Sequence, residues 1–256
     1  MVGSAIAAEL RATMDVVGID RSNYDSFRGR RFRVLIDADG RSDKRAATRA
    51  PLEDFAANVE TVARSLRDFA YDHYALISSV DVYDDLSDRS RTSESMSPDP
   101  LRLSPYGLHK YVAELLVRRH VPRWTIFRLG PVVGPGLRKN AIFDLLAFAK
   151  LYVHPRSTYP YVDTRAVARI VGSLAERPGE IFNVCGHGEV ELGDIARRLS
   201  IDLPALDDRL PEEHYRIDVS KLAAAIEVPG SLETVLAFAG EWRAAGAAPT
   251  RIAGTR

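Results

Sequence analysis

The sequence contains one cysteine, carries no net charge and has no long apolar segment, and each of these features excludes a class of protein. Cys185 alone cannot form an internal disulfide, which fits a protein of the reducing cytoplasm. Lysine plus arginine and aspartate plus glutamate both number 35, so the charge indicates neither nucleic acid nor an anionic membrane as a partner. No apolar run approaches ~18 residues, and the first residues lack a signal-peptide pattern, so no membrane segment or leader is expected.

Metal ligands are also lacking. The six histidines form no His-x-x-x-His pair and none stands at ligand spacing from the cysteine, so no metal site is predicted. Cys185 lies in the apolar segment 181–186, which predicts a packed thiol in a buried strand rather than a nucleophile. His109 is expected at the surface or in an interface. With 46% apolar and 27% charged residues, the composition is that of a globular protein.

Short apolar segments and helical patterns follow one another along the chain. Buried strands are predicted at 16–20, 32–37, 75–80 and 180–185, with a further strand from 124 that runs into a Gly/Pro-rich loop ending at 136. Helices are predicted at 4–12, 51–71, from 105 onward, 191–199, 219–226 and 231–242.

The most informative chemical pattern lies between residues 76 and 114. Pro105 suits the first turn of a helix, so Tyr106 and Lys110 lie one turn apart on the same face. A phenol with a pKa near ~10 is a poor acid or base at neutral pH, and a nearby ammonium favours its phenolate form. A serine hydroxyl at the preceding strand end could hold a substrate oxygen against that phenol, which suits proton transfer at a carbinol or carbonyl. Taken alone, the pair also fits a core-edge tyrosine beside a solvated lysine.

The wider pattern resembles the extended short-chain dehydrogenase/reductases, the NAD-dependent epimerase/dehydratase family. The resemblance is carried by the strand end 77–83, by Glu94 and by the sequence Ser-Pro-Tyr-Gly-x-x-Lys with Ala-Glu at 104–114. It implies an α/β fold: a Rossmann-type doubly wound parallel sheet with helices on both faces and a small C-terminal substrate lobe.

The same resemblance implies a catalytic triad. Tyr106 would be the acid/base, Lys110 would lower its pKa and hold the cofactor ribose, and Ser79, four residues before Tyr83, would orient the substrate oxygen. The implied activity is that of an NAD(P)-dependent oxidoreductase or epimerase acting on a sugar, nucleotide sugar or secondary metabolite.

The N-terminal residues depart from the family pattern. Gly3 aligns with the third glycine of the family's Gly-rich turn, while the first strand and first two glycines are absent. Either the start codon is assigned too late or the chain is truncated and its cofactor binding impaired. In the second case the protein would be a cofactor-free or inactive binding module. Asp20 would bind the adenosine ribose, which favours NAD, although Arg21 could accommodate the phosphate of NADP; Asp20 could instead be a turn residue.

Other cofactor contacts are implied along the chain. Ala38 follows a strand that lies along the cofactor in the family, Asn58 resembles an asparagine that supports the active-site backbone, and Gly130 and Pro131 begin a segment near the nicotinamide. A helical asparagine such as Asn58 is otherwise a solvated residue. Beside Ala38, Asp37 and Asp39 are unusual for the family and are interpreted as turn residues.

Substrate contacts are expected from four residues. Ser79 and Val80 end the central strand, and Arg138 and Asn140 lie in a basic loop that could meet an anionic group or simply be solvated. A dehydratase of this family usually has Asp-Glu after its hydroxyl residue, whereas this chain has Val80-Asp81, which disfavours that activity.

The expected organisation is a nucleotide-binding core at 1–135 with parts of 160–190, and a substrate lobe at 136–160 and 190–243. Residues 244–256 are expected to form a frayed tail. The resemblance further implies a homodimer in which the helix carrying Tyr106 and the helix near 53–70 pair with their copies as a four-helix bundle.

Overall fold

The computed structural model describes residues 1–205 and 207–246, which form an α/β fold. Its strands are β1 (Arg31–Asp37), β2 (Ala70–Ser79), β3 (Trp124–Leu129), β4 (Val132–Val133), β5 (Thr158–Tyr159), β6 (Val162–Asp163), β7 (Glu180–Val184) and β8 (Val190–Glu191). Its helices are α1 (Val2–Leu10), α2 (Lys44–Arg49), α3 (Pro51–Phe55), α4 (Thr61–Asp68), α5 (Pro105–His120), α6 (Ala141–Phe148), α7 (Thr164–Leu174), α8 (Leu192–Arg198), α9 (Ser220–Ala225) and α10 (Ser231–Ala244).

The main sheet is parallel, with strand order β1-β2-β3-β7. Asp37 pairs with Leu76, and Ser79 pairs with Leu129, which in turn pairs with Val184. The carboxyl ends of all four strands therefore meet at one edge of the sheet, where parallel sheets of this kind bind their ligands.

Helices cover both faces of this sheet because alternate strand residues point to opposite sides. On β2, Ala75 and Ile77 join the apolar cluster formed with α1 and α7. Tyr74 and Leu76 join a second cluster on the other face, formed with α4 and α5. The predicted Rossmann-type sheet with helices on both faces is confirmed.

The prediction of a strand at 16–20 is wrong. These residues form no strand, and within the described residues no neighbouring strand hydrogen-bonds to them. Two of their backbone groups instead form hydrogen bonds with the side chain of Asn23. It donates to the Gly18 carbonyl at 3.0 Å and accepts from the Asp20 amide at 2.8 Å. An apolar pattern alone cannot make a strand, because the backbone also needs hydrogen-bond partners.

The helix predicted at 51–71 is divided into three parts. One π-helical turn, Ala56–Glu60, lies between α3 and α4, and the chain is already extended at Phe69. A π turn inserted into an α-helix often occurs at a functional site, and this one carries Asn58. The remaining predicted strands and helices agree with the structure to within a few residues, except that β2 begins at Ala70.

The C-terminal residues build a further apolar cluster around α6, α8 and α10, with Tyr159, Tyr161 and Tyr215. This cluster reaches the turn after β2 through Val80 and Val82. Of the predicted tail, residues 247–256 lie outside the described residues, and α10 ends at Ala244. None of the helices in residues 1–205 and 207–246 is long and apolar enough to cross a membrane.

Candidate functional site

The end of β2 and the beginning of α5 meet at the carboxyl edge of the sheet. Ser104 caps α5 by accepting a hydrogen bond from the Gly107 amide at 3.2 Å, and Pro105 occupies the first turn. A Cβ on Gly107 would lie 2.1 Å from the Asp81 carbonyl oxygen. Only glycine therefore allows the turn after Ser79 to pack this tightly against the first turn of α5, which brings Ser79 and Tyr106 together.

Tyr106 is almost completely buried, with 5% of its surface exposed. Burial raises the pKa of its phenol, and the Asp81 carboxylate raises it further, while hydrogen bonding to Ser79 acts in the opposite direction. The phenol is therefore protonated at neutral pH, beside the hydroxyl of Ser79.

Lys110 lies one turn further along α5 and is also buried. Burial lowers the pKa of its ammonium, and the carboxylates of Asp37, Asp54 and Asp39 act against this effect. Its Nζ donates to the Ile77 carbonyl at 3.5 Å, at the limit of a hydrogen bond. A buried ammonium with three protons thus has only one weak acceptor among the described residues.

Asn58 presents a second polar atom to the same place. Its Nδ2 donates to the Arg41 carbonyl and to the Asp54 side chain, each at 3.1 Å, which fixes the orientation of the amide. Its Oδ1 is buried without a hydrogen-bond partner among the described residues. A Cβ on Gly40 would lie 2.5 Å from this Oδ1 and 3.1 Å from the Lys110 Nζ. Gly40, with a φ of 123°, therefore lets the backbone pass close to these two atoms, where any side chain would displace them.

The Lys110 ammonium and the Asn58 Oδ1 suit a polyhydroxyl group such as the ribose of a nucleotide. The ammonium can donate hydrogen bonds and the free Oδ1 can accept one, so a vicinal diol would satisfy both. The predicted cofactor residues Gly3 and Ala38 also lie together: a Cβ on Gly3 would be 3.2 Å from that of Ala38. The beginning of α1 is thus in contact with the residue that follows β1.

Asp20 and Arg21, predicted to meet the adenosine ribose, are both exposed. Asp20 accepts hydrogen bonds from the Ser22 hydroxyl at 2.5 Å and the Ser22 amide at 2.8 Å, and these bonds lower its pKa. The carboxylate thus forms a tight turn and remains accessible to solvent.

Gly130 and Pro131 follow β3 at the same edge of the sheet. A Cβ on Gly130 would lie 2.4 Å from the Cys185 Sγ, so the glycine allows this close approach. Cys185 is fully buried, and burial raises the pKa of its thiol well above its usual range. The prediction of a packed, unreactive thiol is consistent with this position.

The predicted substrate residues differ in their surroundings. Val80 is 1% exposed and packs into the C-terminal apolar cluster, and Arg138 is exposed. Asn140 caps α6: its Oδ1 accepts from the Phe143 amide and its Nδ2 donates to the Val132 carbonyl, both at 2.9 Å. Both ends of the Asn140 amide are therefore engaged in holding the loop.

Two charged clusters beside the site were not foreseen from the sequence. Asp81 forms an ion pair with Lys44 at 2.6 Å and accepts from the Tyr215 hydroxyl at 2.8 Å. His109 was expected at the surface or in an interface, and the surface position is wrong: it is 8% exposed, and its Nδ1 lies 2.7 Å from Oδ2 of the fully buried Asp54 within the same chain. The sequence analysis noted Asp81 as a departure from the family pattern. Its partners Lys44 and Tyr215 are too distant in sequence for a local pattern to connect them with Asp81.

A buried ion pair braces the site from behind. Arg128 donates to Glu114 at 2.7 and 3.0 Å, and Glu114 also accepts from the Ser78 hydroxyl at 2.6 Å. The guanidinium carbon lies 4.8 Å from the centre of the Tyr83 ring. These contacts join α5, β2 and β3 directly beneath Ser79. Across the part of the chain that the structure describes, no three histidine, cysteine or acidic side chains are grouped as metal ligands.

Comparison with known families and structures gives a consistent result. The model of the NAD-dependent epimerase/dehydratase family matches residues 1–185. No curated protein matches the chain.

Several solved structures share the fold. MoeE5 in complex with UDP-glucuronic acid and NAD is 18% identical, with a TM-score of 0.75 over 96% of both chains. RMD from Pseudomonas aeruginosa, complexed with NADPH, is 19% identical, with a TM-score of 0.73 over 94% of this chain and 96% of that one. UDP-glucose 4-epimerase from Thermotoga maritima, with UDP-glucose, is 16% identical, with a TM-score of 0.67 over 83% and 78%.

Proposed function

The chain belongs to the NAD-dependent epimerase/dehydratase family, and on that premise we propose that it is an NAD(P)-dependent oxidoreductase or epimerase acting on a nucleotide sugar. The observation that carries this proposal lies beside Gly40, where the buried Lys110 ammonium and the Asn58 Oδ1, which has no partner among the described residues, converge one helical turn from Tyr106. These two atoms would bind a diol directly beside the proposed proton donor.

Tyr106 is the acid/base of the proposed reaction. The phenol is protonated at neutral pH and can donate its proton to the oxygen of a substrate ketone as that oxygen gains charge. Burial and Asp81 raise its pKa and so make the phenolate harder to form. Ser79 would hold the same oxygen by a hydrogen bond, for which its hydroxyl proton must turn from Asp81 Oδ2 to the substrate. In the direction of carbinol oxidation, Tyr106 must first lose its proton, and the positive charge of Lys110 supports the resulting phenolate.

Lys110, Asn58 and Gly40 would hold the nicotinamide ribose, while Gly3 and Ala38 line the path of the phosphates. When bound, the nicotinamide supplies or accepts the hydride at the substrate carbon. The exposed Asp20 would repel a 2′-phosphate, which favours NAD over NADP.

The nucleotide-sugar assignment is supported by the charge around the site. Lys139 and Arg41 lie close together near Asp43, whose pKa is lowered first by the Ala46 amide and then by Lys139. Together with the exposed Arg138, which precedes Lys139 in the chain, these cations are proposed to meet a diphosphate. Several proteins of the same fold are described with UDP-sugars.

The proposed function is tested by incubating the full chain with NAD and UDP-glucose and following the sugar by nuclear magnetic resonance. Formation of UDP-galactose, or of an oxidised sugar together with NADH, would support it. Binding of NADH without turnover of any nucleotide sugar would refute the proposal that the substrate is a nucleotide sugar. Absence of NADH binding would favour the alternative, a cofactor-free binding module.

Substitution of Gly40 by alanine should weaken NADH binding at least about tenfold. The new Cβ would collide with Asn58 and Lys110, and alanine is strained at this positive φ. Gly29→Ala is the matched control, because Gly29 also has a positive φ but has nothing within 4 Å of its Cβ position. Fluorescence titration of NADH should show a loss for Gly40→Ala alone. Equal affinities in the two variants would place the cofactor elsewhere.

The chain is also proposed to form a homodimer through α5 and the helix that contains α3 and α4. Leu52 on α3 and Leu115 on α5 are exposed by 82% and 42%, and burying both would stabilise an association of these helices. Light scattering at micromolar concentration should give the mass of two chains, and Leu115→Glu should give that of one. A wild-type mass of one chain would refute the dimer.

A further inference from the structure

The carboxylate of Asp81 is held by two donors from distant parts of the chain and by one close in sequence. Its Oδ1 accepts from the Lys44 ammonium at 2.6 Å and from the Tyr215 hydroxyl at 2.8 Å. Its Oδ2 accepts from the Ser79 hydroxyl at 3.0 Å. The Asp81 side chain is 13% exposed and that of Lys44 is 46% exposed, so the ion pair has one buried end and one end open to solvent.

The position of this group is fixed by packing. The Asp81 carbonyl lies against the first turn of α5, where Gly107 leaves no room for movement. Lys44 also donates to the Tyr215 hydroxyl and lies 4.7 Å from the centre of that ring, which itself packs 5.1 Å from Tyr159. Asp81 therefore cannot withdraw from the site without breaking contacts of α2, of α5 and of the C-terminal cluster.

Asp81 also faces the place where the substrate would react. Ser79, which would hold the substrate oxygen, contacts the Asp81 carboxylate directly. The Asp81 carboxylate is close enough to Tyr106 to raise the pKa of its phenol. Substituents on the carbon atoms next to the reacting centre must therefore pass close to this negative charge.

We propose that the Asp81–Lys44 pair determines substrate specificity, admitting a sugar ring with neutral hydroxyl groups and rejecting one that carries a carboxylate. The inference rests on the proposed action on nucleotide sugars. A carboxylate accepts hydrogen bonds from sugar hydroxyls, whereas it repels another carboxylate that has no proton to donate. Lys44 compensates only in part, because its side chain is 46% exposed and screened by solvent whereas that of Asp81 is 13% exposed.

The size of this discrimination is estimated for a substrate carboxylate that approaches Asp81 to about 5 Å. Like charges about 5 Å apart in an effective dielectric constant of about 20 repel strongly, and even after partial neutralisation by Lys44 the effect amounts to at least about tenfold in affinity. UDP-glucose and UDP-glucuronate are suitable probes because they differ in this one carboxylate.

The test is calorimetric titration of both nucleotide sugars into the full chain saturated with NAD. The wild-type protein should bind UDP-glucose at least about tenfold more tightly. Asp81→Asn removes the negative charge and frees Lys44. The ratio of the affinity for UDP-glucose to that for UDP-glucuronate should therefore fall by about tenfold or more. Lys44→Met leaves Asp81 unneutralised, so the ratio should move further toward UDP-glucose. The exposed Asp202, replaced by asparagine, controls for net charge and should leave the ratio unchanged.

The opposite signs of the two variants separate a specificity role from simple damage to the site. Equal binding of both sugars by the wild type, or an unchanged ratio in Asp81→Asn, would overturn the inference while leaving the proposed function intact. Binding of NAD with no binding of either sugar would overturn both. If Asp81→Asn does not fold, the Lys44→Met variant provides the test. An affinity ratio in Lys44→Met that does not shift toward UDP-glucose would contradict the inference.

Discussion

Replacing Tyr106 by phenylalanine should lower turnover about 10³-fold without loss of fold or of cofactor binding. The substitution removes only the hydroxyl, and the buried ring keeps its packing on α5. Positioned acid/base groups contribute about 10²- to 10⁴-fold, and the structure brings no second phenol against Ser79 within the described residues. Steady-state assays should therefore show a fall in kcat, with the affinity for NADH unchanged.

Tyr111→Phe is the matched control for this substitution. Tyr111 lies on the same helix and is similarly buried, at 6% exposure, but it packs in the C-terminal apolar cluster. It should retain most of the activity. If Tyr106→Phe kept more than a tenth of wild-type turnover, or if both variants lost activity equally, Tyr106 would not be the acid/base.

Replacing Arg128 by methionine should lower the free energy of unfolding by about 3–5 kcal/mol, because it leaves the Glu114 carboxylate buried and unpaired. Arg128 and Glu114 are 1% and 0% exposed, so neither charge can be stabilised by water. For a chain of this size the loss corresponds to a fall in Tm of roughly 10 °C. Urea denaturation of the variant and the wild type would measure it.

An exposed ion pair provides the comparison. Arg33 and Glu176 are 3.2 Å apart, but their side chains are 69% and 45% exposed. Arg33→Met should therefore cost no more than about 1 kcal/mol. Adding Glu114→Gln to Arg128→Met should recover part of the lost stability, since the unpaired charge is removed. A loss below about 1 kcal/mol for Arg128→Met would mean that the buried pair does not brace the site.

The positions of Ser79, Tyr106 and Lys110 in the fold could be predicted because their signals are local, while their catalytic roles remain a proposal. Pro105 and the spacing of Tyr106 and Lys110 fix a helix start and a shared face, and Ser79 ends an apolar strand. The parallel sheet then brings that strand end and the helix to one edge. The same reasoning located Asn58 through the family pattern, although the π turn that buries it has no sequence signal of its own.

The features that the sequence did not predict depend on contacts between distant parts of the chain. Lys44 and Tyr215 reach Asp81 only after α2 and the C-terminal cluster have packed around the turn that follows β2. The expected strand at 16–20 failed for a related reason, since its formation depends on a hydrogen-bonding neighbour rather than on its own apolar pattern. His109 was misplaced because the buried Asp54 that binds it lies on another helix.

Lys110 and Asn58, with Gly40 packed against them, are proposed to hold a nicotinamide nucleotide beside Tyr106. Titration of NADH into the full chain, followed by the fluorescence of the nicotinamide, tests this proposal. We expect saturable binding of one NADH per chain in the wild type, weakened at least about tenfold in Gly40→Ala and unchanged in Gly29→Ala. The absence of saturable binding by the wild type would refute it.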